Sequence, residues 1–248
     1  MYCIAALVAA GAFFLGRRVR SVKGFLLLLP LLLGKAVLHH RPDWEDALFP
    51  WPSYVYVQSW LFYPLGLSCL GLAAGLLPPG RNRKAVAVLA GAVLLLSLWT
   101  ERWMVAEPDA SLTGRAGPDH HCAQTTGWSC GPAACVTMLS CLGVEATEAE
   151  MARLCGTASY GGTSLFHLAR GLRAKLPGRE VRIVRGDPDA LRARGGPAIV
   201  SHYRVHVVAV RFDGEDVIVD DPARGAPERM PFESYRERYG GFAVVAGP

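Results

Sequence analysis

Hydrophobic and polar positions along this chain fall into two regimes. Up to about residue 107 the apolar residues come in long runs, Cys3–Gly16, Gly24–His39, Tyr54–Leu77 and Ala85–Met104, separated by short polar loops. Spanning a bilayer as a helix takes about 20 mainly apolar residues, with about 17 as a lower limit. The third and fourth runs meet that length. The first two are shorter, and the second contains Pro30 and Lys35, which local thinning of the bilayer or snorkelling of the lysine would accommodate. The first run lacks a basic segment ahead of it, and its charges follow the apolar stretch, the reverse of a signal peptide. The pattern therefore predicts an N-terminal α-helical transmembrane bundle over residues 1–107, with helices at about 3–16, 24–39, 54–77 and 85–104.

From Pro108 the pattern becomes that of a mixed domain. Residues 108–118 read as a Gly/Pro-containing linker, and 119–248 as a domain large enough for its own core. A helix is predicted from Cys130 or Gly131 to about Cys141. The Thr147-Glu148-Ala149-Glu150 capping box opens a second, ending near Gly156. Ser164 precedes a third, with Leu165, Leu168, Leu172 and Leu176 on one face. Strand-type runs follow at Glu180–Val184, Ala198–Ser201, His206–Phe212, Asp216–Val219 and Phe242–Val245. Helices first and strands afterwards is an α+β order rather than a βαβ one.

Charge sharpens this division. Residues 1–107 carry 10 Lys and Arg against 5 Asp and Glu, while residues 108–248 carry 16 against 16, so the whole +5 excess lies in the first part. No basic cluster in the second part supports nucleic-acid binding. Arg17, Arg18, Arg20 and Lys23 lie between the first two runs, and Arg81, Arg83 and Lys84 between the last two. By the positive-inside rule both loops are cytoplasmic, which predicts a multi-pass membrane protein with its C-terminal domain extracytoplasmic.

The most chemically informative stretch is Gln124-Thr-Thr-Gly-Trp-Ser-Cys130-Gly131-Pro132-Ala133-Ala134. It puts a thiol at the start of a helix, where unpaired backbone N–H groups and the positive end of the macrodipole favour a thiolate. A cysteine hydrolase also needs a histidine, a group orienting it, and oxyanion donors. His206 begins a strand and Asp221 ends the next, and a hairpin at Asp213-Gly214 would bring them to the same end of a sheet. Gln124 and the Cys130 backbone N–H are the oxyanion candidates. His202, four residues before His206, competes as the base, and Asp220 competes with Asp221, although alternation puts the two aspartates on opposite faces.

Gln124-x5-Cys130-Gly131-Pro132-Ala133-Ala134, then His206-Val207-Val208, then Asp221-Pro222-Ala223-x-Gly225 resembles the C39 peptidases, papain-like bacterial cysteine proteases. Gly162-Thr163-Ser164, Pro231-Phe232-Glu233 and Tyr239-Gly240-Gly241 echo the same family. The resemblance covers about residues 115–248. It implies a C-terminal α+β papain-like cysteine peptidase domain in which Cys130, His206, Asp221 and Gln124 hydrolyse peptide bonds without a cofactor or metal. Its implied partners are a peptide or protein substrate, the bilayer and an exporter. In the best-known members the domain precedes an exporter and removes leader peptides after a double glycine; here it follows the apolar runs. A catalytically inactive peptide-binding module is the alternative.

Asp119-His120-His121-Cys122 spells the signature of the DHHC protein acyltransferases, but the zinc-binding cysteines that accompany it there have no counterparts upstream, where only Cys3 and Cys69 occur. In an oxidising compartment Cys122, Cys135, Cys141 and Cys155 are candidates for disulfides, with Cys141–Cys155 and Cys122–Cys155 as the pairings considered.

Overall fold

A computed structural model describes residue 18, residues 22–49, 68–69, 71–72, 77, 80, 84–85, 88, 91–92, 111–157, 162–202 and 206–247. The chain divides into two compact units, Met1–Arg102 and Trp103–Pro248.

In the first unit, the second apolar run forms helix α1 (Val22–His39), followed by a short helix α2 (Pro42–Leu48). Lys35 of α1 is buried and ion-paired with the equally buried Glu45 of α2. The run over 24–39 thus stays helical through Pro30 and forms an ion pair to its neighbour, instead of sending Lys35 out to a membrane surface. Among the described residues no helix is long and apolar enough to cross a membrane, which overturns the expected transmembrane bundle. The run over 3–16, and most of the runs over 54–77 and 85–104, lie outside the described residues.

The second unit holds three helices before the first strand. Helix α3 (Cys130–Cys141) starts with Pro132 in its first turn, where a missing N–H costs nothing. Helix α4 (Glu148–Cys155) is capped by Thr147, whose hydroxyl accepts from the Glu150 N–H at 3.2 Å, and ends at left-handed Gly156. Helix α5 (Leu165–Lys175) is capped by Ser164 and buries Leu168 and Leu172, as the spacing predicts. The strands are β1 (Val181–Arg185), β2 (Ala198–His202), β3 (His206–Asp213), β4 (Asp216–Asp220), β5 (Glu228–Pro231) and β6 (Tyr239–Ala246). Two short helices, α6 (Pro188–Arg194) and α7 (Phe232–Arg236), and strand β5 go beyond the predicted elements. All three are too short to show a period in the sequence.

The strands form one antiparallel sheet in the order β1-β6-β2-β3-β4-β5. One face packs Val200, Val208, Val210, Val219 and Val245 against Leu191 of α6 and Phe232 and Tyr235 of α7. Alternation turns Ile199, Ala209 and Val244, each fully buried, to the other face, where α3 lies across β2 and β3. The sheet is thus covered on both faces, by α6 and α7 on one and by α3 on the other, and the site sits where the N-terminus of α3 meets the start of β3. The papain-like α+β architecture of this unit is as the resemblance implies. The hairpin turn between β3 and β4 is Gly214-Glu215, one residue later than expected, with Gly214 at φ +60°.

Candidate active site

His206 is the first residue of β3 and Asp221 the first after β4. Pairing of Ala209 with Asp220 across the hairpin brings these two ends together. His206 Nε2 lies 3.6 Å from Asp221 Oδ2, an ion-pair separation longer than a hydrogen bond. Asp221 is itself fixed: its Oδ1 accepts the Ala223 N–H at 3.0 Å, and Arg224 Nε stands 3.6 Å from Oδ2. With Nε2 turned to the carboxylate, Nδ1 is the imidazole nitrogen left for a thiol.

The neighbouring aspartate is committed elsewhere. Asp220 is fully buried and gripped by the Arg211 guanidinium, with Nε 3.0 Å from Oδ2 and Nη2 3.2 Å from Oδ1. Burial raises its carboxyl above the usual range, and Arg211 opposes this. Of the two adjacent aspartates, Asp221 faces the histidine.

His202 is not placed behind His206 on one strand. It ends β2 and pairs with His206 across the β2–β3 ladder, the two rings meeting edge to face at 5.7 Å. Burial and then the proximity of His206 lower the pKa of His202, so this ring is held neutral beside the other.

Cys130 opens α3 and is half-buried. The backbone N–H groups of Val207, Gly131 and Cys130 itself lie near enough to the sulfur to favour its charged form, so the thiol is close to the residue next to His206. Those donors favour the thiolate, as a helix N-terminus should. Burial outweighs them, however, and Asp221 adds to it, so the Cys130 thiol titrates above its ordinary value.

Gln124 belongs to the segment leading into α3. Its Nε2 donates to Thr126 O at 2.8 Å, the same carbonyl that accepts the Ser129 N–H at 3.3 Å at the start of the helix. A carbonyl only accepts, so this contact fixes which end of the carboxamide is nitrogen. Nε2 keeps a second hydrogen, while Oε1 is buried with no hydrogen-bond partner among the described residues. The Gln124 backbone N–H donates to Pro222 O at 2.8 Å, tying this residue to the loop that carries Asp221. The four residues singled out in the sequence thus lie on three segments that converge: the α3 terminus, the start of β3, and the joined 124 and 221 loops.

Sequence reasoning missed what holds the leading segment. Glu148, fully buried, accepts from the Gly114 N–H at 3.0 Å, the Thr125 N–H at 2.9 Å and the Thr125 hydroxyl. In the sequence it reads only as a first-turn helix residue. The Asp119-His120-His121-Cys122 side chains diverge: His120 Nδ1 meets Ser140 Oγ at 2.9 Å, His121 Nε2 meets Arg224 O at 2.9 Å, and Cys122 is fully buried with its thiol pushed up to about 12 by burial and then Glu148. Cys155 lies against Cys135, not against Cys122 or Cys141, and both are buried free thiols.

Residues 119–248, more than half of the chain, match the Peptidase C39 family. The chain belongs to the Peptidase C39 family. It is also 36% identical, over 107 residues, to an uncharacterized protein of Methanothermobacter marburgensis, which covers 41% of this chain and 70% of that one. A protein of Methanothermobacter thermautotrophicus matches to the same extent. Among solved structures, a double glycine motif protease from an AMS/PCAT transporter, in complex with the leader peptide, aligns at a TM-score of 0.47 and 24% identity, over 54% of this chain and 94% of that one. The peptidase domain of Streptococcus ComA, a bi-functional ABC transporter involved in a quorum sensing pathway, aligns at 0.45 and 20%, over 55% and 98%.

Proposed function

We propose that this C39 family member is a cysteine peptidase in which Cys130, His206, Asp221 and Gln124 form the catalytic set. The observation that carries the reading is the approach of Asp221 to His206 Nε2 at 3.6 Å, with the Cys130 sulfur against the N–H of the residue after that histidine. Asp220 is held by Arg211, and burial together with the neighbouring His206 lowers the pKa of His202, so the roles are assigned to His206 and Asp221.

The geometry translates into steps. His206 Nδ1 takes the Cys130 proton as sulfur attacks the scissile carbonyl, forming a C–S bond and an oxyanion. The Cys130 backbone N–H and the second Gln124 Nε2 hydrogen stabilise that oxyanion. The imidazolium, its charge balanced by Asp221, then gives its proton to the leaving amine as the C–N bond breaks. Water activated by the same imidazole hydrolyses the thioester, which restores the thiol and releases a carboxylic acid. Family membership supports a peptide or protein as substrate. An exporter partner is proposed on the family resemblance alone.

Hydrolysis of a peptide library by the full chain tests this. Wild type is expected to release fragments that Cys130→Ser and His206→Ala do not. Asp221→Asn should lower kcat by two orders of magnitude or more, since a misheld histidine in a comparable triad costs about 10⁴-fold. Identical product patterns for wild type and Cys130→Ser would support the inactive peptide-binding alternative instead.

A further inference from the structure

The side chains of Asp119, His120 and His121 take no part in the chemistry above, yet they sit behind its acid. The segment enters through a tight turn in which Gly117 N–H donates to His121 O at 2.8 Å and His120 N–H to Gly117 O at 3.0 Å. His120 adopts φ 69°, the one left-handed non-glycine among the described residues, and the Asp119 carboxylate accepts the His121 N–H at 3.1 Å. This delivers the His121 ring, almost wholly buried, between β4 and the loop after it. Its Nε2 lies 2.9 Å from Arg224 O, and a carbonyl only accepts, so Nε2 carries the hydrogen. Nδ1 then faces Asp220 Oδ1 at 3.6 Å, and Asp220 is locked by Arg211, which also donates to Asp119 O at 3.2 Å.

We infer that His121 is a positioning residue, the buried peg of a strap over residues 119–124 that holds the Asp221 loop at the histidine. This rests on the catalytic roles proposed above. The 221–224 loop is exposed at Ala223 and Arg224, so its own turn, Arg224 N–H to Asp221 O at 2.9 Å, is open to water. Two bonds fasten it to the strap: Gln124 N–H to Pro222 O, and His121 Nε2–H to Arg224 O. The strap is fastened in turn to α3, where the Cys122 N–H donates to Thr137 Oγ1 at 3.0 Å. One rigid piece therefore sets both the acid that orients His206 and the glutamine that faces the oxyanion. Misplacing a catalytic group by about 1 Å costs on the order of 10²-fold.

The test uses His121→Asn and His121→Gln in the full chain. A glutamine amide nitrogen reaches the place of Nε2 and keeps the bond to Arg224 O; the shorter asparagine stays polar but does not reach. His121→Asn is expected to lose about tenfold or more in kcat with KM unchanged, and His121→Gln to stay within about twofold of wild type. Hydrogen exchange at the Gln124, Ala223 and Arg224 amides should rise in His121→Asn, while the β2, β3 and β6 amides keep their protection. A folded His121→Gln protein with kcat reduced tenfold and a freely exchanging loop overturns the inference, whatever the asparagine variant does. So does a His121→Asn protein with wild-type kcat and exchange. If wild type cleaves nothing, the proposed activity fails, and the exchange pattern still decides the strap.

Discussion

At Cys130 two opposing effects meet on one sulfur. Three backbone N–H groups favour the thiolate, while removal from water disfavours it and prevails. A group whose charged form is disfavoured ionises at higher pH, so thiolate is lost as pH falls through a value above that of an ordinary cysteine. Alkylation of Cys130 by iodoacetamide, read on that residue by mass spectrometry, is therefore expected to accelerate with an inflection above the free-cysteine value. Rapid alkylation persisting into the acid range would show a preformed thiolate–imidazolium pair and contradict the thiol state described for the resting site. Much of this scale was legible in the sequence: Gln124, Cys130, His206 and Asp221 are recognisable by type, order and neighbours. The balance of desolvation against donors was not, because it depends on how deeply β3 covers the helix terminus.

The elements show why small residues stand where they do. A Cβ on Gly131 would lie 2.9 Å from Leu168 and Thr163, so glycine after Cys130 lets α3 and α5 approach. Gly171 of α5 is tighter still: an added Cβ would run into the Cys155 sulfur of α4. Gly171→Ala is expected to lower stability by about 1–3 kcal/mol in urea denaturation, as overpacking does. In the Gly171→Ala/Cys155→Ala double variant that loss should shrink by 1 kcal/mol or more, about the coupling seen between touching residues. Strictly additive effects would mean that the sulfur is not what fills the space. Helix starts at Thr147 and Ser164 were readable from their caps, and strands from their valines. The short α6 and α7 and strand β5 were not, since their few residues acquire order only by packing on Leu191, Phe232 and Met230.

On the scale of the molecule, the Trp103–Pro248 unit contains every residue of the proposed site and a core shared between sheet and helices. Expressed alone, residues 103–248 are expected to unfold in one cooperative transition with a stability of about 5–15 kcal/mol, as single domains do. Coincident transitions by circular dichroism and tryptophan fluorescence would show this; separate transitions, or a fragment without near-ultraviolet signal, would show that the first unit is needed. The first unit is where reading the sequence by hydropathy failed most clearly. Length and mean apolarity describe a run as if each residue met lipid independently, whereas Lys35 is neutralised by Glu45 from the next helix.

The sequence by itself determined the family, the α+β order and the candidate residues Cys130, His206, Asp221 and Gln124, because these depend on residue type, local period and chain order. Where Asp220 is held, on which strand His202 lies, and what the Asp-His-His-Cys side chains touch were decided by the tertiary structure alone. The physical reason is that each depends on a partner far along the chain: Arg211 for Asp220, β2 pairing for His202, and the Arg224 carbonyl, 103 residues away, for His121.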